Sequence, residues 1–233
     1  MYYHAAKVCY KNAKSALKDI GKSRKYFLDL RNNESAIIGR YNGNTSEAYS
    51  ELEPIYIQME NAEHKIGASY GPYFQNISLT HILCTTSAES HINIKSKECL
   101  KGKFRDIFEK VSLEGKWLFL PKFIGENSFD QGAEPFQSFS KLIKIRNELI
   151  HYKGKKENWE SFEVGMPKFV TNLGLSLSMA RKSLQVIKEM ILELSKLIDH
   201  EPPYWLRDGY DNLPTDIVTN FFEIKIKDNN SKI

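Results

Sequence analysis

Glu134–Gly154, EPFQSFSKLIKIRNELIHYKG, is the stretch around which the rest of the chain is read. It predicts one helix. Pro135 suits a first helical position, where its missing N–H costs nothing. Gly154 suits the stop, with Lys153 beside it favouring the negative end of the helix dipole. On a wheel of about 100° per residue, Leu142, Ile143, Ile145, Leu149 and Ile150 form one apolar arc. Arg146 falls in the middle of it, while Asn147 and His151, four apart, share a polar face with Lys144 and Glu148. A guanidinium cannot discharge itself, so Arg146 requires a carboxylate, an anionic ligand or a wet groove between helices.

The chain has 233 residues, 41% of them hydrophobic, with a net charge of +4. That length suffices for one large domain with a real core. The modest charge permits a polyanionic partner without demanding one. No apolar run reaches the roughly 20 residues of a membrane span, and MYYHAAKVCYKNAK has no apolar stretch of a signal peptide. Cys9, Cys84 and Cys99 are odd in number and lie in no CxxC pair, which points to a reducing cytoplasm and thiols that fill core.

Residues 3–20 predict an amphipathic helix extending to about residue 30, with Tyr3, Ala6, Tyr10, Ala13, Leu17 and Ile20 along an apolar seam. Beside the seam runs a lysine stripe, Lys7, Lys11, Lys14 and Lys18, continued by Lys22 and Lys25. It reads either as a solvated face or as a track for a phosphate backbone. Asn32–Thr45 carries turn signals and predicts a loop, after which Thr45 or Ser46 caps a helix that Pro54 bends or restarts. Gly67, Gly71 and Pro72 predict a break, followed by a long helix over 72–100 on which Glu89 and Asn93 share a face. Short helices come next, over Lys103–Lys110 and through Trp117 to Pro121. A last long helix runs from Asn172 to Asp199. Residues 201–233 form an extension in which Phe221–Lys227 alternates like a short strand or an extended tail. With no strand–helix alternation and no internal repeat, the expectation is an all-α bundle of long antiparallel helices.

The chain has no Walker loop, GxGxxG, GxSxG or CxxC pair, and only one Glu-x-x-His unit, Glu148–His151. These absences argue against nucleotide hydrolases, Rossmann enzymes, esterases, zinc sites and di-iron bundles. What remains is Arg146-Asn147-x-x-x-His151 near a helix end, with Tyr152 following. This resembles the signature of the HEPN family, an arginine and a histidine separated by four to six residues. Glu89 with Asn93, Lys116-Trp117, Pro121, Phe129-Asp130-x-Gly132 and Pro135-Phe136 resemble an uncharacterised bacterial branch of it, over roughly Ala88–Gly154.

The resemblance implies a HEPN-like core over about 46–200, with the N-terminal helix packed on it and two subunits joining their arginines and histidines in one cleft. It implies a metal-independent endoribonuclease without a cofactor, in the manner of toxins and anti-phage effectors, with a neutralising protein as a further partner. Arg146 would then hold a phosphate, His151 would move the proton of the ribose 2′-OH or of the leaving oxygen, and Asn147 would orient either. Glu89, Asn93 and Tyr152 would support them, and Lys7, Lys11, Lys14, Lys18, Lys153 and Lys155 would guide RNA. Five positions put Arg146 and His151 about 140° apart on an ideal helix, so a second subunit or a distorted helix must complete such a site. The other reading is a non-catalytic binding or dimerisation module in which Arg146 pairs with Glu89.

Overall fold

The computed structural model describes residues 1–125, 127–151 and 173–206. Among them the chain is all-α: α1 Tyr2–Arg40, α2 Thr45–Cys99, α3 Gly102–Glu109, α4 Leu113–Gly125, α5 Phe136–Ile150 and α6 Leu177–Leu197. A single 3-10 turn covers Tyr204–Leu206. No helix among the described residues is long and apolar enough to cross a membrane.

The dominant element is the hairpin of α1 and α2. At 39 and 55 residues, these helices reach about 58 and 83 Å at 1.5 Å per residue. Ala6, Ala13 and Ile20 recur at seven-residue spacing on α1, as do Ala48, Ile55 and Ala62 on α2, and all are buried. A seven-residue apolar repeat keeps a seam facing its partner along a coiled pair. Deep inside, Ala6 packs in one cluster with Cys84, Ala13 in another with Ile77; towards the tip, Ile37 packs with Ala48.

Two predicted breaks, at Pro54 and at Gly67–Pro72, are absent, and the predicted 32–45 loop is shorter than expected. Residues 32–40 continue α1, and only Tyr41–Asn44 make the turn. Asn42 and Gly43 take left-handed φ of 49° and 86°. Their N–H groups close α1 on the carbonyls of Gly39 and Ile38, a Schellman arrangement. Asn44, rather than Thr45 or Ser46, then caps α2 by accepting from the Glu47 N–H at 3.4 Å. Pro54 and Pro72 lie within α2, and the residues four before them, Ser50 and Ala68, face solvent. Each freed carbonyl therefore meets water instead of a dry core, and the buried seam carries the helix through.

Beyond the arm, α1, the second half of α2, α5 and α6 form an up-down-up-down bundle. The Tyr3 hydroxyl donates to the Leu184 carbonyl at 3.1 Å, and His81 Nδ1 lies 2.8 Å from Ser183 Oγ, tying α6 to both long helices. Thr80, Thr85 and Thr86 turn their hydroxyls onto carbonyls one turn back, which reconciles the Thr-rich stretch with a packed helix. The last long helix begins at Leu177, capped by Ser176, rather than at Asn172. The three thiols are free; burial pushes all three above the ordinary thiol pKa, and Cys84 most.

α4 runs past Pro121 to Gly125 and closes the bundle's end. Its Trp117, fully buried, stands edge-on to Phe129 and Phe139 at 5.9 and 5.5 Å, and Phe136 packs against both phenylalanines. This aromatic knot fixes the angle at which α5 starts. Asp130 accepts from the Gly132 N–H and Gln137 donates to the Gly132 carbonyl, holding the turn before it. Pro135 sits at the N-cap, one residue before the first helical position.

Candidate functional site

Set by that knot, α5 lies antiparallel to α2, and its second half carries the Arg146-Asn147-x-x-x-His151 motif. Leu142 and Ile143 are buried beneath it. Leu149 packs against the cluster around Ile77, whereas Ile150, expected on the apolar arc, is exposed. Arg146 points at α2, as its place on the arc demands. One guanidinium nitrogen lies 3.5 Å from Glu89 Oε2, and the other donates to Asn147 Oδ1 at 3.0 Å. Its Nε is buried without a partner.

The ion pair is long and single-pronged, and the Arg146 side chain keeps 28% of its exposure. A half-wet pair of this kind contributes no more than about 1 kcal/mol. It aims the guanidinium and leaves it able to take an anion. His151 has left helical geometry, with φ −108° and ψ 27°, though its N–H still closes on the Asn147 carbonyl at 2.9 Å. Its imidazole is exposed and makes no hydrogen bond or ion pair among the described residues.

Asn93 was expected to support the Glu89–Arg146 contact. Its side-chain oxygen instead accepts from Lys116 Nζ at 2.9 Å. Lys116, on α4, is only 6% exposed. An ammonium so deep with an amide as its hydrogen-bond partner leaves uncompensated positive charge beside Glu89, one turn along α2. Sequence spacing cannot reveal this lysine's partner, which lies 23 residues away on another helix; the only signal is a lysine set among Leu113, Trp117 and Leu120.

The lysine stripe follows α1's solvent side: Lys11, Lys14 and Lys18 are exposed, while Lys7 lies over the Tyr3 ring, 5.0 Å from its centre. Tyr152, Lys153 and Lys155, together with Phe221–Lys227, lie outside the described residues. A shallow groove lined by Glu134, Arg181, Lys182 and Glu189 sits at the other end of α5 and takes in none of the motif residues. No group of three His, Cys, Asp or Glu side chains that could hold a metal ion occurs among the described residues.

No protein-family model matches the chain, and neither a curated protein nor a solved structure does.

Proposed function

We propose that the protein is a metal-independent endoribonuclease of HEPN type that acts as a dimer. The observation that carries the reading is the state of the two key side chains. Arg146 is steered by Glu89 and Asn147 yet remains accessible, and His151 is exposed, with no hydrogen bond or ion pair among the described residues. A motif kept only for packing would be shielded and mutually satisfied.

In the proposed reaction Arg146 holds the scissile phosphate and stabilises the charge growing on its oxygens. His151 takes the proton of the ribose 2′-OH as that oxygen attacks phosphorus. The P–O5′ bond breaks, and the leaving 5′-oxygen collects a proton from the imidazolium, its counterpart on the second subunit, or water. The products are a 2′,3′-cyclic phosphate and a 5′-hydroxyl. Asn147 orients the guanidinium it touches. A toxin or anti-phage role, with a neutralising protein partner, follows from the resemblance.

The Glu89–Arg146 ion pair favours a second reading, a binding module in which that pair is structural. Incubation of a mixed RNA pool with the protein in EDTA decides between them. The nuclease predicts cleavage that is lost in both Arg146→Ala and His151→Ala, with each variant's Tm within a few degrees of wild type. An inert wild type combined with a strongly destabilised Arg146→Ala would leave only the module.

A further inference from the structure

α3 and α4 meet along their outward sides in a patch of exposed rings. Phe104 on α3 stands edge-on to Phe123 on α4, with 5.0 Å between ring centres, and Phe123 lies near-parallel to Phe119 at 6.1 Å. Ile107 follows Phe104 one turn on, on the same side of α3. Phe104, Ile107, Phe119 and Phe123 keep 46%, 64%, 45% and 52% of their surface in solvent. Apolar side chains exposed singly are ordinary, but these lie together. They offer roughly 400 Å² of apolar surface, the size at which such a patch commonly serves binding.

The charges around the patch are sorted. At about 100° per residue, Lys103 and Lys110 border Ile107 on α3, whereas Asp106 and Glu109 lie further round. On α4, Lys122 borders Phe119, and Glu114 falls on the opposite side. The three lysines are exposed and make no ion pair among the described residues. Rings with open faces inside a rim of unpaired ammonium groups suit a single nucleic-acid strand, whose bases stack on the rings while its phosphates meet the charges. A duplex hides those base faces within its own stack. The patch also adjoins the candidate site. Phe119 comes one turn after Lys116 on α4, Lys116 donates to Asn93, and Asn93 lies one turn of α2 from Glu89, which holds Arg146.

We infer that Phe104, Phe119 and Phe123 form a stacking platform for unpaired bases of single-stranded RNA, with Lys103, Lys110 and Lys122 on its phosphates. The class of ligand rests on the ribonuclease reading. The platform is separate from Arg146 and His151, and it makes single strands and loops, rather than duplexes, the substrate of that site.

The test is binding of a short labelled RNA strand to the full-length protein, by fluorescence anisotropy. Every ribose of the strand carries a 2′-O-methyl group, so 2′-OH attack is blocked and binding is read apart from cleavage. Wild type is expected to bind this strand about tenfold or more tightly than either its duplex or an abasic strand of equal length. Phe104→Leu with Phe123→Leu keeps apolar surface and removes two rings; its dissociation constant is expected to rise by about tenfold or more. Phe104→Trp with Phe123→Trp is expected to stay within a few-fold of wild type. Lys103→Gln, Lys110→Gln and Lys122→Gln together should lower the slope of log affinity against log salt by about 2. Helicity and Tm of each variant are measured alongside, and the abasic comparison needs the wild type alone. Equal affinity for the abasic strand would overturn the proposal, as would a folded leucine form that binds like wild type. So would a protein that ignores the strand and takes up phosphatidylserine vesicles, which would make the patch a lipid-binding face. Cleavage of unmodified RNA in EDTA separates the two readings. Platform binding without cleavage removes the nuclease and leaves this inference; cleavage by the leucine form with unchanged KM does the reverse.

Discussion

Burial holds His81 and His91 near pKa 4, well under the ordinary imidazole value. Ser183 gives its hydroxyl proton to the Met179 carbonyl, so the His81 ring donates from Nδ1 to Ser183 Oγ and leaves Nε2 bare. Above pH 6.5 both rings are neutral, folded or unfolded, and their full stabilisation is present. As pH falls from 6.5 towards 4 the unfolded chain takes protons that the folded one refuses, and stability drops by about 1.4 kcal/mol per pH unit for each ring. Urea unfolding of His91→Phe across that range is expected to show a slope shallower by that amount. Lys116 sets a second expectation. Asn93→Leu strands a buried ammonium and should cost roughly 2–3 kcal/mol. Lys116→Met added to it should recover most of that loss in thermal melts. Arg146→Ala, by contrast, removes only a half-wet pair and should cost about 1 kcal/mol or less.

At the scale of elements, the apolar period was readable and the punctuation was not. Tyr3, Ala6, Ala13 and Ile20 are buried as their spacing predicts, although Leu17 faces outward. Gly67, Gly71, Pro54 and Pro72 read as breakers, yet each sits inside a helix. A breaker costs about 1–3 kcal/mol locally, less than what a seam running the length of two helices supplies. The true turn hides in the signal-rich 32–45 stretch, and only left-handed Asn42-Gly43 marks it. The Glu89–Arg146 pair was legible because a charge on an apolar arc demands a counter-charge. The position of Lys116 was not, since it depends on how α4 docks. Gly125 shows that docking most sharply: a Cβ there would collide with the Leu197 carbonyl oxygen. Gly125→Ala should therefore force α4 from α6 and cost more than about 2 kcal/mol by chemical denaturation. Gly43→Ala, strained only by its positive φ, should cost about 1 kcal/mol.

At the scale of the whole molecule, the bundle and the arm share two unbroken helices. Glu89 and the tip residue Ala48 ride on one rod, about 60 Å apart at 1.5 Å per residue. The paired positions also differ greatly in the chain they enclose. Ile37 and Ala48 meet across about ten residues, Ala13 and Ile77 across most of the hairpin, and Tyr3 touches Leu184 only after nearly the whole described chain has been traversed. Closing a short loop is faster than closing a long one. The hairpin should therefore zip from the Asn42-Gly43 turn towards the termini, and α5 and α6 should dock afterwards. In pulse-labelled hydrogen exchange during refolding, amides near Ile37 and Leu52 are expected to gain protection before those of α6. A chain interrupted midway would then already hold its tip while the Arg146 strip was still unmade, so the motif is among the last parts of the molecule to exist.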